Sequence, residues 1–240
     1  METKYNNLFI LIPFISLMSL GLLMVTSASI YIADDIYGNP FHFASRQMFF
    51  ISIGLIVMLL FLSIPSNLLY KLDWVFMLIS ILLLLALFIP DVGTSVNGSI
   101  RWIRLGPINI QPSEICKFSL ILYISGYSVR RISEIDSLRS FLKPLFLLFI
   151  ISVLIMGQPD LGSTAIICLL VVAILFYAGI SFFQFSLLSI LIGLLGVVAI
   201  SSSPMRIARM MAYMDPFDKE VVLGSGYQLS NSLISIGQGG

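Results

Sequence analysis

Along this chain apolar residues do not alternate with polar ones. They run in blocks of roughly twenty, separated by short polar stretches. A hydrocarbon core about 30 Å thick is crossed by roughly 20 helical residues. By that measure the pattern predicts seven spans, over residues 8–29, 47–64, 74–90, 112–129, 144–158, 161–180 and 184–202. A period of two is absent and the runs are about twice as long as a barrel strand, so helices are expected throughout. The fold class read from the pattern is all-α: a polytopic membrane protein of about seven helices with outer interfacial loops, residues 1–240 forming one membrane domain. The fifth and sixth runs meet at Gly157-Gln-Pro-Asp-Leu-Gly162. Pro159 removes a backbone donor there, which predicts a break, a kink or a re-entrant pair.

Composition agrees with the pattern. Of 240 residues 58% are hydrophobic and 10% charged, against about 25% charged in soluble domains. A net charge of +1 and the lack of any basic block give no reason to expect a nucleic-acid partner. Cys116 and Cys168 are far apart inside apolar runs and read as small buried hydrophobes. Neither they nor His42, the one histidine, has metal-ligand spacing, so no structural metal is predicted. Asn97-Gly-Ser99 matches a glycosylation sequon too short to carry weight. The first run, from Leu8, is too long for a signal-peptide core and reads as a retained span.

Loop charges give orientation. The densest basic loop holds Arg130, Arg131, Arg139 and Lys143; placing it in the cytoplasm puts Lys4, Lys71 and the N-terminus there as well. Segments 30–46, 91–111 and 203–240 then face outward, with six basic residues on each side. Two outward segments share a pattern: Arg101-Trp-Ile-Arg104 and Arg206-Ile-Ala-Arg209 both carry arginines at i, i+3 among apolar neighbours. On a helix that spacing shares a face, so both segments read as interfacial amphipathic turns. Following spans three and seven, they lie on one membrane side by parity. The guanidinium fork matches phosphate oxygens, which points to an anionic headgroup; snorkelling to ordinary lipid phosphates is the plain alternative.

Charges also enter the spans. Glu114 and Lys117 open span four just after Pro112, at a spacing that lets them pair. Ionisable groups at membrane depth are functional candidates, although such a pair also fixes helix packing. Asp160, between Gln158-Pro159 and Leu161-Gly162, suits either an opened backbone lining a cavity or an N-cap for span six. Beyond span seven come Asp215-Pro-Phe-Asp218 and Gly224-Ser-Gly-Tyr-Gln228, with no Gly-Lys-Ser/Thr that would mark a phosphate-binding P-loop. The sequence stops at Gly239-Gly240 without a closing helix or polar tail, and a fragment of a longer chain is expected.

Five segments, in order, resemble the SEDS family (shape, elongation, division and sporulation): Met24-Val-Thr-Ser-Ala-Ser29, Asn97-Gly-Ser-Ile-Arg-Trp-Ile-Arg-Leu-Gly106, Gln111-Pro-Ser-Glu-Ile-Cys-Lys117, Gln158-Pro-Asp-Leu-Gly-Ser163 and Gly226-Tyr-Gln-Leu-Ser-Asn-Ser-Leu-Ile-Ser-Ile-Gly-Gln-Gly-Gly240. The first two bring the chain nearer the division branch than the rod-elongation branch. The resemblance implies a peptidoglycan glycosyltransferase of the bacterial inner membrane. It would polymerise lipid II, a disaccharide-pentapeptide on a polyprenyl diphosphate, at the outer face. It would work with a class B penicillin-binding protein and other divisome proteins.

Family members have ten spans, and Arg101, Arg104, Glu114, Lys117, Gln158, Asp160, Tyr227 and Gln228 fall on their motifs. Arg101, Arg104, Arg206, Arg209, Tyr227 and Gln228 are the candidate substrate-binding residues; Glu114, Lys117, Gln158 and Asp160 would line or brace the cavity. No catalytic residue is assigned, because the family's essential carboxylate lies further along the large outer loop, beyond Gly240. These residues alone are therefore expected to be inactive. No cofactor is assigned with certainty, and a divalent cation, Mg or Mn, is left open for the departing diphosphate. A lipid II flippase and a non-catalytic divisome scaffold are the competing readings.

Overall fold

The computed structural model describes residues 2–96, 99–106, 108–135, 137–224 and 226–238. Asn97 and Gly98, which open both the sequon and the second family segment, lie outside the described residues, as do Gly239 and Gly240.

Every apolar block folds as a helix. In chain order these are α1 (Glu2–Tyr37), α2 (His42–Ser63), α3 (Ser66–Ala86), α4 (Pro112–Arg130), α5 (Leu138–Met156), α6 (Leu161–Tyr177) and α7 (Phe182–Ser201). Three short helices follow: α8 (Pro204–Met211), α9 (Lys219–Val222) and α10 (Tyr227–Gln238). Five of the long helices are long and apolar enough to cross a bilayer: Leu8–Tyr37, His42–Ser63, Ser66–Ala86, Leu138–Met156 and Phe182–Ser201. The chain is a multi-pass membrane protein. To the helices the structure adds one element that the hydropathy pattern hides. Between α3 and α4 lies an antiparallel sheet of β1 (Gly93–Val96), β2 (Ser99–Leu105) and β3 (Ile108–Ile110), in the order β1-β2-β3.

The chain divides into two compact units, Met1–Leu68 and Leu69–Gly240. In the first, α1 outruns the expected span. It continues past Ser29 for two more turns and stops where Gly38 takes φ +62°, its N–H donating to Asp34 O at 2.8 Å. A left-handed glycine just past the last turn is the ordinary helix stop. The ring of Tyr37 stacks on His42, centroids 4.0 Å apart, across the turn into α2.

The second unit holds the core. Buried residues recur at helical spacing on each member: Met77 and Leu84 on α3, Cys116, Leu120 and Ile124 on α4, Leu148, Ile151 and Ile155 on α5, and Ile167, Val171 and Leu175 on α6. Side chains three and four apart share one helix face, so each helix presents a stripe. Helix α6 packs against α4, α5 and α7. Both cysteines are free thiols, buried in this core.

Helix α5 starts six residues earlier than the fifth apolar block, and it runs through Pro144. Proline has no N–H to give the carbonyl four residues back, which strands Ser140 O. The Tyr127 hydroxyl, from α4, donates to that oxygen at 2.9 Å. The orphan created by the proline thus becomes a cross-link between two helices, and α5 gains the length to cross. At its other end α5 closes at Gly157, and the chain breaks through Gln158-Pro159 before Asp160 caps α6.

Candidate functional site

The site is built where the sheet meets the α5–α6 break. Antiparallel pairing sets Thr94 opposite Trp102, then Ser95 opposite Ile100, so Arg101 is the extra residue of a bulge in β2. Bulges re-aim side chains. Here the guanidinium reaches the break, where Nη2 donates to Pro159 O at 2.8 Å and Nε stands 3.6 Å from Asp160 Oδ2. At 3.6 Å the second contact is a charge attraction rather than a hydrogen bond. Asp160 is 5% exposed, and its two oxygens accept from Ser163 N at 3.1 Å and Ser163 Oγ at 2.8 Å. It is therefore an N-cap and a buried counter-ion at once. Gln158, also buried, donates from Nε2 to Leu84 O at 3.3 Å and so ties the break to the end of α3.

The i, i+3 arginines fare differently in the two segments. Residues 101–104 are a strand, not an interfacial helical turn, because β1 and β3 pair with them on either side. Side chains alternate along a strand, so Arg104 does not join Arg101. It lines a shallow groove with Thr94, Trp102 and Asn109. In α8 the spacing does keep Arg206 and Arg209 on one helical face, with Pro204 opening the helix. A shared rule emerges in spite of this. The first arginine of each pair is spent on a main-chain carbonyl, Arg101 on Pro159 O and Arg206 on Ala199 O at 2.7 Å. The second, Arg104 or Arg209, is exposed and has no protein partner among the described residues.

Glu114 and Lys117 pair as their spacing suggests, Nζ to Oε1 at 2.7 Å. Lys117 is the more buried partner, at 19% side-chain exposure against 57% for Glu114. They stand in the first two turns of α4, whose Ser113 meets Ser163 of α6 Oγ to Oγ at 3.5 Å. Tyr227 and Gln228 open α10 and are exposed, while Ser230 is buried and donates to Gly226 O and Pro216 O. A cation held by this set would need free carboxylates. Asp160 is occupied by Ser163 and Arg101, Glu114 by Lys117, and no three His, Cys, Asp or Glu residues converge among the described residues. The carboxylates of this set, Asp160 and Glu114, are therefore not free to hold a cation on their own.

At the opposite ends of α3 and α4 sits a cluster that sequence reasoning missed. Asp73, 1% exposed, lies 2.8 Å from Arg130 Nη1, and the Arg130 guanidinium covers the Tyr70 ring at 5.1 Å from its centroid. Gly126 makes the room, since a Cβ there would run into the Asp73 carboxylate. An aspartate at the mouth of an apolar run was the available signal. Arg130 read only as part of an orienting loop.

Comparison with known proteins shows what the chain as a whole is similar to. Residues 7–240 match the family described as "Cell cycle protein", whose members are FtsW, RodA and SpoVE. A Legionella pneumophila protein named "Probable peptidoglycan glycosyltransferase FtsW" is 40% identical over 226 residues, 93% of this chain and 57% of the relative. A protein of the same name from Coxiella burnetii is 40% identical over 234 residues, 97% of this chain and 62% of the relative. The chain thus spans about three fifths of these relatives' length. Among solved structures, one described under "Structural coordination of polymerization and crosslinking by a peptidoglycan synthase complex" aligns with TM-score 0.64 at 26% identity, covering 90% of this chain and 64% of that one. A variant of the Thermus thermophilus rod shape determining protein RodA aligns with TM-score 0.53 at 25% identity, over 71% of this chain and 58% of that one.

Proposed function

Because this chain belongs to the FtsW/RodA/SpoVE family of cell cycle proteins, we propose that the whole protein is a peptidoglycan glycosyltransferase. It polymerises lipid II at the outer face of the bacterial inner membrane during division. The N-terminus lies in the cytoplasm, as the basic loop between α4 and α5 suggests. A class B penicillin-binding protein cross-links the strands alongside it, and other divisome proteins hold the pair at the septum.

One observation carries the reading. Two arginine-bearing segments, the sheet after α3 and helix α8 after α7, fall on one membrane side by parity, and each leaves one guanidinium uncommitted. The contact between Arg101 and Pro159 O supports that parity, because it joins the far end of α3 to the far end of α5.

Glycosyl transfer from a lipid diphosphate needs a base for the acceptor hydroxyl, positive charge for the departing diphosphate and alignment of two sugars. Arg104 and Arg209 supply the positive charge, each able to offer two parallel N–H donors to phosphate oxygens. Arg101 holds the rim in place through Pro159 and Asp160. Lys117, steadied by Glu114, adds a cation just inside the mouth of α4, and Tyr227 with Gln228 contacts the bound substrate from α10. The base is not assigned to any residue of this chain.

The test gives the purified whole protein labelled lipid II together with its penicillin-binding partner. Glycan ladders support the proposal. Transfer of lipid II between leaflets without polymer would support a flippase instead, and neither product would leave a scaffold.

A further inference from the structure

The face of the sheet turned away from Arg101 is a second feature with its own chemistry. Trp102 and Arg104 of β2 share it with their cross-strand partners, Thr94 of β1 and Asn109 of β3. Paired residues of an antiparallel sheet project to the same side, so all three strands contribute to one groove of about 260 Å³. Its neighbours on β2 point the other way: Ile103 is buried and Arg101 reaches Pro159. The sheet therefore has an inward face committed to structure. Its outward face carries one aromatic plate and three hydrogen-bonding side chains.

From this we infer that the groove is a saccharide platform, taking one N-acetylated pyranose ring. An indole face is apolar with negative charge density, and the axial C–H groups of a sugar are an apolar surface with slight positive charge. Stacking buries both. The rim then requires groups of both polarities, because hydroxyls and an N-acetyl amide donate and accept. Arg104 donates only, whereas Asn109 and Thr94 do both. The groove, of about 260 Å³ and open to solvent, has room for one ring while the neighbouring rings stay in solvent. A bare phosphate would need neither the indole nor the amide. An apolar partner would be repelled by the uncommitted guanidinium.

This inference rests on the glycosyltransferase reading for its biological ligand, which is either the lipid-linked donor sugar or a ring of the growing strand. Its physical test does not rest on that reading. The whole protein in nanodiscs is mixed with a β-1,4-linked N-acetylglucosamine trimer, and saturation transfer to the sugar's ring and acetyl protons is recorded. Wild type is expected to transfer saturation. Trp102→Ala and Asn109→Ala should lose at least about fivefold of the signal, and Trp102→Phe should keep most of it. Asn109→Ala on an exposed edge and Trp102→Phe guard against a variant that merely misfolds. No transfer in wild type, or equal transfer in all variants, overturns the platform.

Polymerisation by the same variants separates the sources. A raised KM for lipid II assigns the groove to the donor, and altered strand length at unchanged KM assigns it to the growing strand. Unchanged KM and unchanged length overturn the inference. If the trimer binds through Trp102 but no variant or wild type makes glycan, the platform stands and the glycosyltransferase reading falls.

Discussion

Arg101, in the bulge of β2, and Asp160, at the head of α6, hold opposite charges 3.6 Å apart while the same guanidinium donates to Pro159 O at 2.8 Å. The sheet between α3 and α4 is thereby fastened to the break between α5 and α6. Lysine keeps the charge but not the fork that serves two partners. Arg101→Lys is expected to lower the stability of the whole protein by about 1.5–3 kcal/mol, the worth of a charged hydrogen bond, and to depress glycan synthesis. Asp160→Asn keeps a good N-cap and should melt within about 1 kcal/mol of wild type while losing activity. Thermal melts beside polymerisation assays check both. An Asp160→Asn protein that synthesises normally would reduce the pair to a helix cap.

Glu114 and Lys117 separate stability from function in the opposite sense. With Glu114 more than half exposed, the pair contributes only about 0.2–1 kcal/mol. Lys117→Met should therefore barely move the melting temperature, yet cut polymerisation by about tenfold or more, the loss of one cation near the diphosphate. Wild-type rates in that variant would return the pair to helix packing.

The cluster at the other end of α3 is structural. Asp73 is buried against Arg130, and Gly126 leaves space for its carboxylate. Arg130→Gln leaves a buried charge without its partner, a loss of about 3–5 kcal/mol in fully buried pairs and less here because Arg130 is 35% exposed. Gly126→Ala should destabilise by a comparable amount, since its Cβ must displace the carboxylate. Combining Gly126→Ala with Asp73→Ala should recover much of that loss. A double-mutant cycle on thermal melts reads the coupling, and additive losses would argue against it.

Arg206 and Arg209 look alike in sequence and are expected to behave differently. Arg206 donates to Ala199 O at the end of α7, so Arg206→Ala should lower stability by about 1–3 kcal/mol. Arg209 has no protein partner among the described residues, and Arg209→Ala should leave the melt unchanged while weakening use of the lipid substrate. Melting curves and KM for lipid II distinguish the two. Equal effects on both readouts would dissolve the division of labour.

Much of this was readable in the sequence because a bilayer leaves the backbone few choices. The helical runs, the break at Pro159 and the Glu114–Lys117 pair follow from hydropathy, a missing N–H and side-chain spacing. What escaped depended on partners distant in the chain. The same i, i+3 arginines sit on a strand at 101–104 and on a helix at 206–209, because Thr94 and Asn109 pair beside the first and no strand among the described residues pairs beside the second. Spacing alone does not carry that distinction. The fifth span was expected from residue 144, but Tyr127 on a different helix takes up the carbonyl that Pro144 strands, and Pro144 is an interior residue of α5. Asp73 lies one residue before the third expected span, and only Gly126 and Arg130, distant in the chain, mark it as a buried partner.

In the proposed enzyme Arg104 and Arg209, uncommitted among the described residues, grip a diphosphate at the outer rim. The most direct measurement is equilibrium binding of a polyprenyl diphosphate and of the matching monophosphate to the whole protein in neutral-lipid nanodiscs. The comparison is between wild type and the Arg104→Gln, Arg209→Gln double variant. Wild type is expected to prefer the diphosphate by about tenfold or more, ~1.4 kcal/mol, and the double variant to lose that preference while melting normally. A double variant that still binds the diphosphate as tightly as wild type would contradict the grip.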